Sequence, residues 1–346
     1  MKSTKRKTMS HIREFQEVLS LTQKSPRSKN QLNRVFESDC EIVKLNKSYF
    51  CSSTDSVGEE ISIQLYKDPY LWGWMTVMSS ISDLAVTGAK PLGLLLSTQW
   101  KFGTSEEIKK EFYRGSNAAL RAGGVPLLGG DSGYSGDHVM TSTIFGISSK
   151  KPLTRLGVKP GDYVAVTEKG RTGAGPCIAY RYLLQKPETD FPESNFRPCP
   201  KPSVIQTLRP LLRASIDTSD GLASCLYIVA RLNGIGYDLK WNPNLIDKKA
   251  SLFCDQNHLH PLMLWMGDHG DFQSLVFIPE KKLKEAQKLC PSLVVLGQCT
   301  DQPQEFHVEY QLKKIELPFA KVTECARDAQ AIYNLVKEVN SYFWNS

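Results

Sequence analysis

Apolar runs of strand length alternate with helix-periodic segments along most of this 346-residue chain, and the turns between them carry aspartates beside small residues. Residues 41–45, 48–52, 91–98, 125–128, 139–147, 163–167, 214–216, 273–278 and 293–298 read as strands. Residues 72–86, 105–122, 222–232 and 280–289 read as helices. Thr104 and Glu107 have capping-box spacing ahead of the second helix, and Asn233-Gly234 stops the third. The alternation predicts an α/β (α+β) fold. A Lys-, Ser- and Pro-rich break at 148–159 divides it into a unit at 36–150 and another at 151–346. Residues 1–35 read as a polar arm with one short helix around 11–21.

Four acidic turns recur: Ser53-Thr54-Asp55, Ser82-Asp83-Leu84, Gly129-Gly130-Asp131 and Asp217-Thr218-Ser219-Asp220-Gly221. Asp39, in Glu37-Ser38-Asp39-Cys40, is a fifth candidate. Small residues let backbone approach a ligand closely, and short carboxylates are hard oxygen donors suited to Mg²⁺ and a polyphosphate. A helix cap or turn explains any one of them, and capping accounts for Asp217 or Ser219. Five such turns in one chain point instead to a metal–phosphate site. Arg155 could grip phosphate oxygens through its guanidinium fork. The Gly-rich stretch Gly170-Arg171-Thr172-Gly173-Ala174-Gly175 lacks the Lys-Ser/Thr of a P-loop and reads as a tight turn. His258 and His260 fit zinc geometry poorly, and His269 sits in what reads as a polar turn.

Composition narrows the function classes. The net charge is +7, and residues 1–7 hold four of the basic side chains, so the excess is concentrated in the arm. No nucleic-acid-binding motif accompanies it. No apolar run is long enough to span a membrane, and no secretory leader is visible. The nine cysteines are scattered without a CxxC pair, which suits reduced thiols and a cytoplasmic protein.

The turns, in this order, resemble the ATP-dependent aminoimidazole ribonucleotide synthetase superfamily, with the nearest likeness to thiamine-monophosphate kinase. The likeness rests on Ser53-Thr54-Asp55-Ser56, the run from Ser82 to Pro91, Gly129-Gly130-Asp131, Arg155 through Asp162, and Ile216 through Leu222, with a fainter match at Asp271-Phe272-Gln273. It implies an N-terminal αβ unit whose strands join a second subunit in a homodimer, a C-terminal α/β unit, and ATP between the two. It assigns Asp39, Thr54, Asp55, Asp83, Asp131, Asp217 and Asp220 to Mg²⁺. Gly130, Asp131, Arg155 and Ser219 go to the nucleotide, and Asp271 and Gln273 to the acceptor. Asp131, Asp217 and Arg155 would carry phosphoryl transfer to a small molecule.

Three departures from the family pattern concern us. Paired aspartates become Ser38-Asp39, Val-Glu-Gly-Val-His-Phe becomes Gly58-Glu59-Glu60-Ile61-Ser62-Ile63, and Asp-Tyr-Glu becomes Asp271-Phe272-Gln273. The metal–ATP half is mostly retained and the acceptor half is not, so the expected acceptor diverges from thiamine monophosphate. The alternatives are a synthetase that phosphorylates a carbonyl or amide oxygen, and a non-catalytic ATP-binding module.

Overall fold

The computed structural model describes residues 17–20, 22, 24–325 and 328–344. The basic run at 1–7 and most of the expected helix at 11–21 lie outside the described residues. The first half contains β1 (Glu41–Leu45), β2 (Ser48–Ser56), α1 (Gly58–Ser62), α2 (Pro69–Thr87), β3 (Lys90–Lys101), α3 (Glu106–Gly123), β4 (Leu127–Ser135) and β5 (Val139–Ser148). Its strands form one five-stranded sheet in the order β1-β2-β5-β3-β4.

The second half holds β6 (Tyr163–Val166), α4 (Ala174–Leu183), α5 (Pro202–Leu208), β7 (Ala214–Asp217), α6 (Leu222–Asn233), β8 (Gly236–Lys240), α7 (Lys248–Gln256) and β9 (Ser274–Ile278). It continues through α8 (Leu283–Leu289), β10 (Val294–Thr300), β11 (Phe306–Tyr310), β12 (Lys313–Glu316), α9 (Phe319–Cys325) and α10 (Ala329–Trp344). Its seven-stranded sheet runs β12-β11-β8-β10-β6-β9-β7.

Helix α2 joins the two sheets. Asp68 caps its start by accepting from the Tyr70 N–H, Pro69 occupies the first turn, and Gly88 ends it at φ 72°. The helix is buried almost all round, because β2 and β5 lie on one side, α3 on another and β7 on a third. Its few polar side chains therefore need partners. Ser80 bonds Ser142 on β5 at 2.6 Å, and Ser82 bonds Asp217 at the end of β7 at 2.6 Å.

Several local expectations change. Ser53-Thr54-Asp55 lies inside β2 and Gly129-Gly130-Asp131 inside β4, so both are extended strands rather than turns. The cap of α3 is Ser105, which accepts from the Ile108 N–H, whereas the Thr104 hydroxyl donates back to the Lys101 carbonyl. The helix expected at 280–289 begins only at Leu283, after a 3-10 turn. The hairpin β11–β12 and the helices α7, α9 and α10 were not among the expected elements, although Ile332, Leu335, Val336, Val339 and Phe343 give α10 a helical period.

Candidate active site

Three elements deliver the carboxylates. Asp39 precedes β1, Asp83 sits near the C-terminal end of α2, and Asp217 ends β7. Single oxygens of these three lie within 4.8 Å of one another. Asp55 on β2 and Asp220 beyond β7 line the same cleft, which measures about 1190 Å³. Strand alternation places Ser53 and Asp55 on one face of β2, and the Ser53 hydroxyl donates to Asp83. Asp217 accepts from Ser82 on one oxygen and from Ser219, at 2.9 Å, on the other.

Packing these groups together without a cation strains their ionisation. Burial, then the neighbouring carboxylates, drives Asp83 and Asp217 well above the usual range, and burial pushes Asp55 up to about 6. Of the described residues lining the cleft, ten are carboxylates, two are arginines and none is a lysine. One of the arginines is already committed. Arg155 donates to Asp39 at 2.9 Å and to the Phe36 carbonyl at 3.2 Å; burial opposes the guanidinium charge, but Asp39 and Asp217 together hold it charged. Its buried Nε has no partner. A cluster of hard, desolvated oxygen donors with so little resident positive charge fits divalent cations, which would also supply the charge that a polyphosphate needs.

Other expected site residues stand elsewhere. Thr54 points from the opposite face of β2 and bonds Thr143 at 3.0 Å. Gly130 and Asp131 are exposed on edge strand β4. Register aligns Asp131 with Ser97, Thr141 and Ser56, so three strand spacings, about 14 Å, separate it from β2. Asp271 caps α4, accepting from the Gly173 and Gly175 N–H groups at 2.7 and 2.8 Å. Burial nonetheless raises its carboxyl to about 7. Gln273 is buried behind it, accepting from the Thr172 hydroxyl at 2.6 Å and donating to the Glu168 carbonyl at 3.2 Å. A glutamate could not make that second bond. Asp271 and Gln273 line a separate small cavity of about 270 Å³.

Two side chains not anticipated as site residues do line the main cleft. Tyr66 Oη and His269 Nε2 are hydrogen-bonded at 2.8 Å, and burial holds the imidazole down at about 4. Ser53 and Ser82 were legible only as members of the acidic motifs, and each bonds an aspartate of a different motif, Asp83 and Asp217 respectively. Tyr66 has no local signal at all.

Residues 37–148 match the family described as AIR synthase related protein, N-terminal domain. The thiamine-monophosphate kinase of Methanocaldococcus jannaschii is 27% identical over 307 residues, covering 83% of this chain and 93% of that one. The thiamine-monophosphate kinase of Methanospirillum hungatei is 31% identical over 251 residues, covering 71% and 81%. The structure of AaThiL complexed with AMPPCP and TMP superposes with a TM-score of 0.72 at 18% identity, over 89% of this chain and 96% of that one. The HypE subunit fold is shared too: the crystal structure of a HypE-HypF complex matches at TM-score 0.67 and 16% identity, over 88% and 98%. With 31% identity to one such kinase across four-fifths of its length, and the same fold, the chain belongs to the thiamine-monophosphate kinase family of AIR synthase-related proteins.

Proposed function

We propose that this ATP-dependent kinase transfers the γ-phosphoryl group of ATP to a small-molecule acceptor in the cleft between its two halves, 36–150 and 151–346, and that the acceptor diverges from thiamine monophosphate. The observation that carries the reading is the cluster of Asp39, Asp83 and Asp217, desolvated and short of cations. Mg²⁺ would be held by these three with Asp55 and Asp220, and when bound it would neutralise the phosphate oxygens and orient them. Ser82 and Ser219 fix the Asp217 oxygens, and Ser53 fixes Asp83. Arg155 contributes by holding Asp39 in place, and its partnerless Nε is a donor for a bound anion. The divergence of the acceptor is supported by Ser62, which lines the cleft and stands where the family pattern has His.

The working unit we propose is a homodimer. One face of the five-stranded sheet leaves Leu95 and Ile147 uncovered, and Leu127 and Leu128 are exposed on its edge strand, with fractional exposures from 37% to 55%. Asp131 and Thr54 lie on that same face, so a second copy docked there would bring Asp131 to a neighbouring site. All nine cysteines are unpaired, which suits a reducing cytoplasm. Among the described residues no helix is long and apolar enough to cross a membrane.

The test is incubation with ATP, Mg²⁺ and a panel of hydroxyl-, amide- and phosphate-bearing metabolites, thiamine monophosphate among them, read by mass spectrometry. An ATP-dependent gain of one phosphoryl group on a panel member other than thiamine monophosphate is expected. Phosphorylation of thiamine monophosphate at an ordinary kinase rate would end the divergent-acceptor reading. A product that has lost water would move the chemistry to the synthetase type.

A further inference from the structure

The Tyr66–His269 hydrogen bond joins one half of the chain to the other at the wall of the cleft. Tyr66, in the segment between α1 and α2, is 1% exposed, and His269, in the turn before β9, is 8% exposed. Both are anchored independently. The Lys67 and Asp68 N–H groups beside the phenol donate to the buried Glu193 carboxylate at 2.9–3.1 Å, and Arg181 pairs with the same carboxylate at 3.3 Å.

The turn that carries His269 is docked on the 217–221 turn. The Gly270 N–H donates to the Ser219 carbonyl at 2.8 Å. A Cβ at Gly270 would meet the Thr218 carbonyl at 1.5 Å, and one at Gly221 would meet the Gly267 carbonyl at 2.1 Å, so the two turns touch backbone to backbone. Phe272, also lining the cleft, is held at φ 56°, a conformation that a bulky side chain adopts only under constraint. The imidazole is thus fixed relative to Asp217 and Asp220, and the rings of Tyr66, His269, Phe196 and Phe272 pack at 5.5–6.4 Å between centroids.

A buried Tyr–His pair inside a core would need no further partner. This one stands on the wall of the cleft, next to Glu59, Glu60 and Asp268. Such a wall offers hydrogen bonds and ring surface. We infer that Tyr66 and His269 are the acceptor-selecting pair of this site, hydrogen-bonding a hydroxyl or amide group on a ring-bearing acceptor and orienting it toward the carboxylate cluster. The phosphorylated centre of the acceptor lies at the metal end, and the selected group lies at this end.

The inference rests on the phosphotransfer reading above, and the experiment separates the two. The full chain is assayed with ATP, Mg²⁺ and whichever panel compound shows the largest ATP-dependent mass gain. Tyr66→Phe and His269→Ala raise the KM for that compound about tenfold or more, the loss expected for one buried hydrogen bond. The smaller part of the loss falls on kcat. His269→Gln, which keeps a donor and an acceptor, recovers most of the KM. The affinity of all three variants for AMPPCP with Mg²⁺, measured by calorimetry, stays within about twofold of the parent. An unchanged KM overturns the assignment, and so does a parallel loss of AMPPCP affinity, which marks a merely structural pair. If the parent phosphorylates no panel member, the phosphotransfer reading falls and takes the inference with it.

Discussion

The two faces of the five-stranded sheet are built from the same strands and do different work. The covered face packs on α2 and presents Ser53 and Asp55 to the carboxylates of Asp83 and Asp217. The uncovered face presents Thr54, Asp131 and exposed leucines. A single motif, Ser53-Thr54-Asp55, is split between them because successive side chains of a strand point in opposite directions. Charge that one chain can desolvate alone sits on the covered face. On the other face, apolar surface and Asp131 are left exposed among the described residues.

The largest effect should come from the covered face. Asp217→Asn is expected to lower turnover about 10²–10³-fold, since it removes a charge that acts only when the metal–phosphate complex is bound. The same substitution should raise the melting temperature of the metal-free protein, because it relieves repulsion among buried carboxylates. Lower stability together with lower activity would mean that Asp217 is structural.

The uncovered face should yield a smaller effect of a different kind. Leu128→Lys places a charge on exposed apolar surface, and sedimentation velocity should show a monomer where the parent chain shows the proposed dimer. Turnover should then fall about tenfold or more, matching Asp131→Asn. A dimeric, fully active Leu128→Lys protein would break the comparison by removing any role for that face.

The smallest effect sharpens the covered side alone. Asp55 titrates near 6 in the folded chain, above its unfolded value of about 3.9. The folded state therefore holds the proton more tightly, and this group's contribution to stability declines as pH rises from about 4 to 6. Metal binding needs the proton gone, so the rise in melting temperature on adding Mg²⁺ should grow as pH increases through about 6. Taking the difference with and without metal cancels the buried His269, whose depressed titration acts in the opposite sense. A metal-induced shift that is flat from pH 5 to 7.5 would exclude Asp55 from the metal site.

Much of this was legible along the chain. The strand-and-helix alternation, the C-terminal end of α2, and the gathering of aspartates as hard ligands all follow from periodicity, capping residues and the short reach of the Asp side chain, whereas α2 starts at Pro69, three residues before its expected start. Three aspartates spaced 44 and 134 residues apart in sequence do meet, because α2 and β7 are bonded side by side through Ser82. The face on which each motif residue falls was not legible, since a run of small residues reads equally as turn or strand, and Thr54 and Asp131 depend on the difference.

Sequence alone determined the chemistry available to this protein: which atoms could hold a cation. Only the tertiary structure decided which of those atoms share a cleft. It sent Asp271 and Gln273 to brace α4 and β9 rather than the cleft, and it brought Tyr66 to His269 across 203 residues. The reason is physical: ligand type is a property of one side chain, whereas burial and proximity belong to the packed sheets and are encoded by no local stretch of chain.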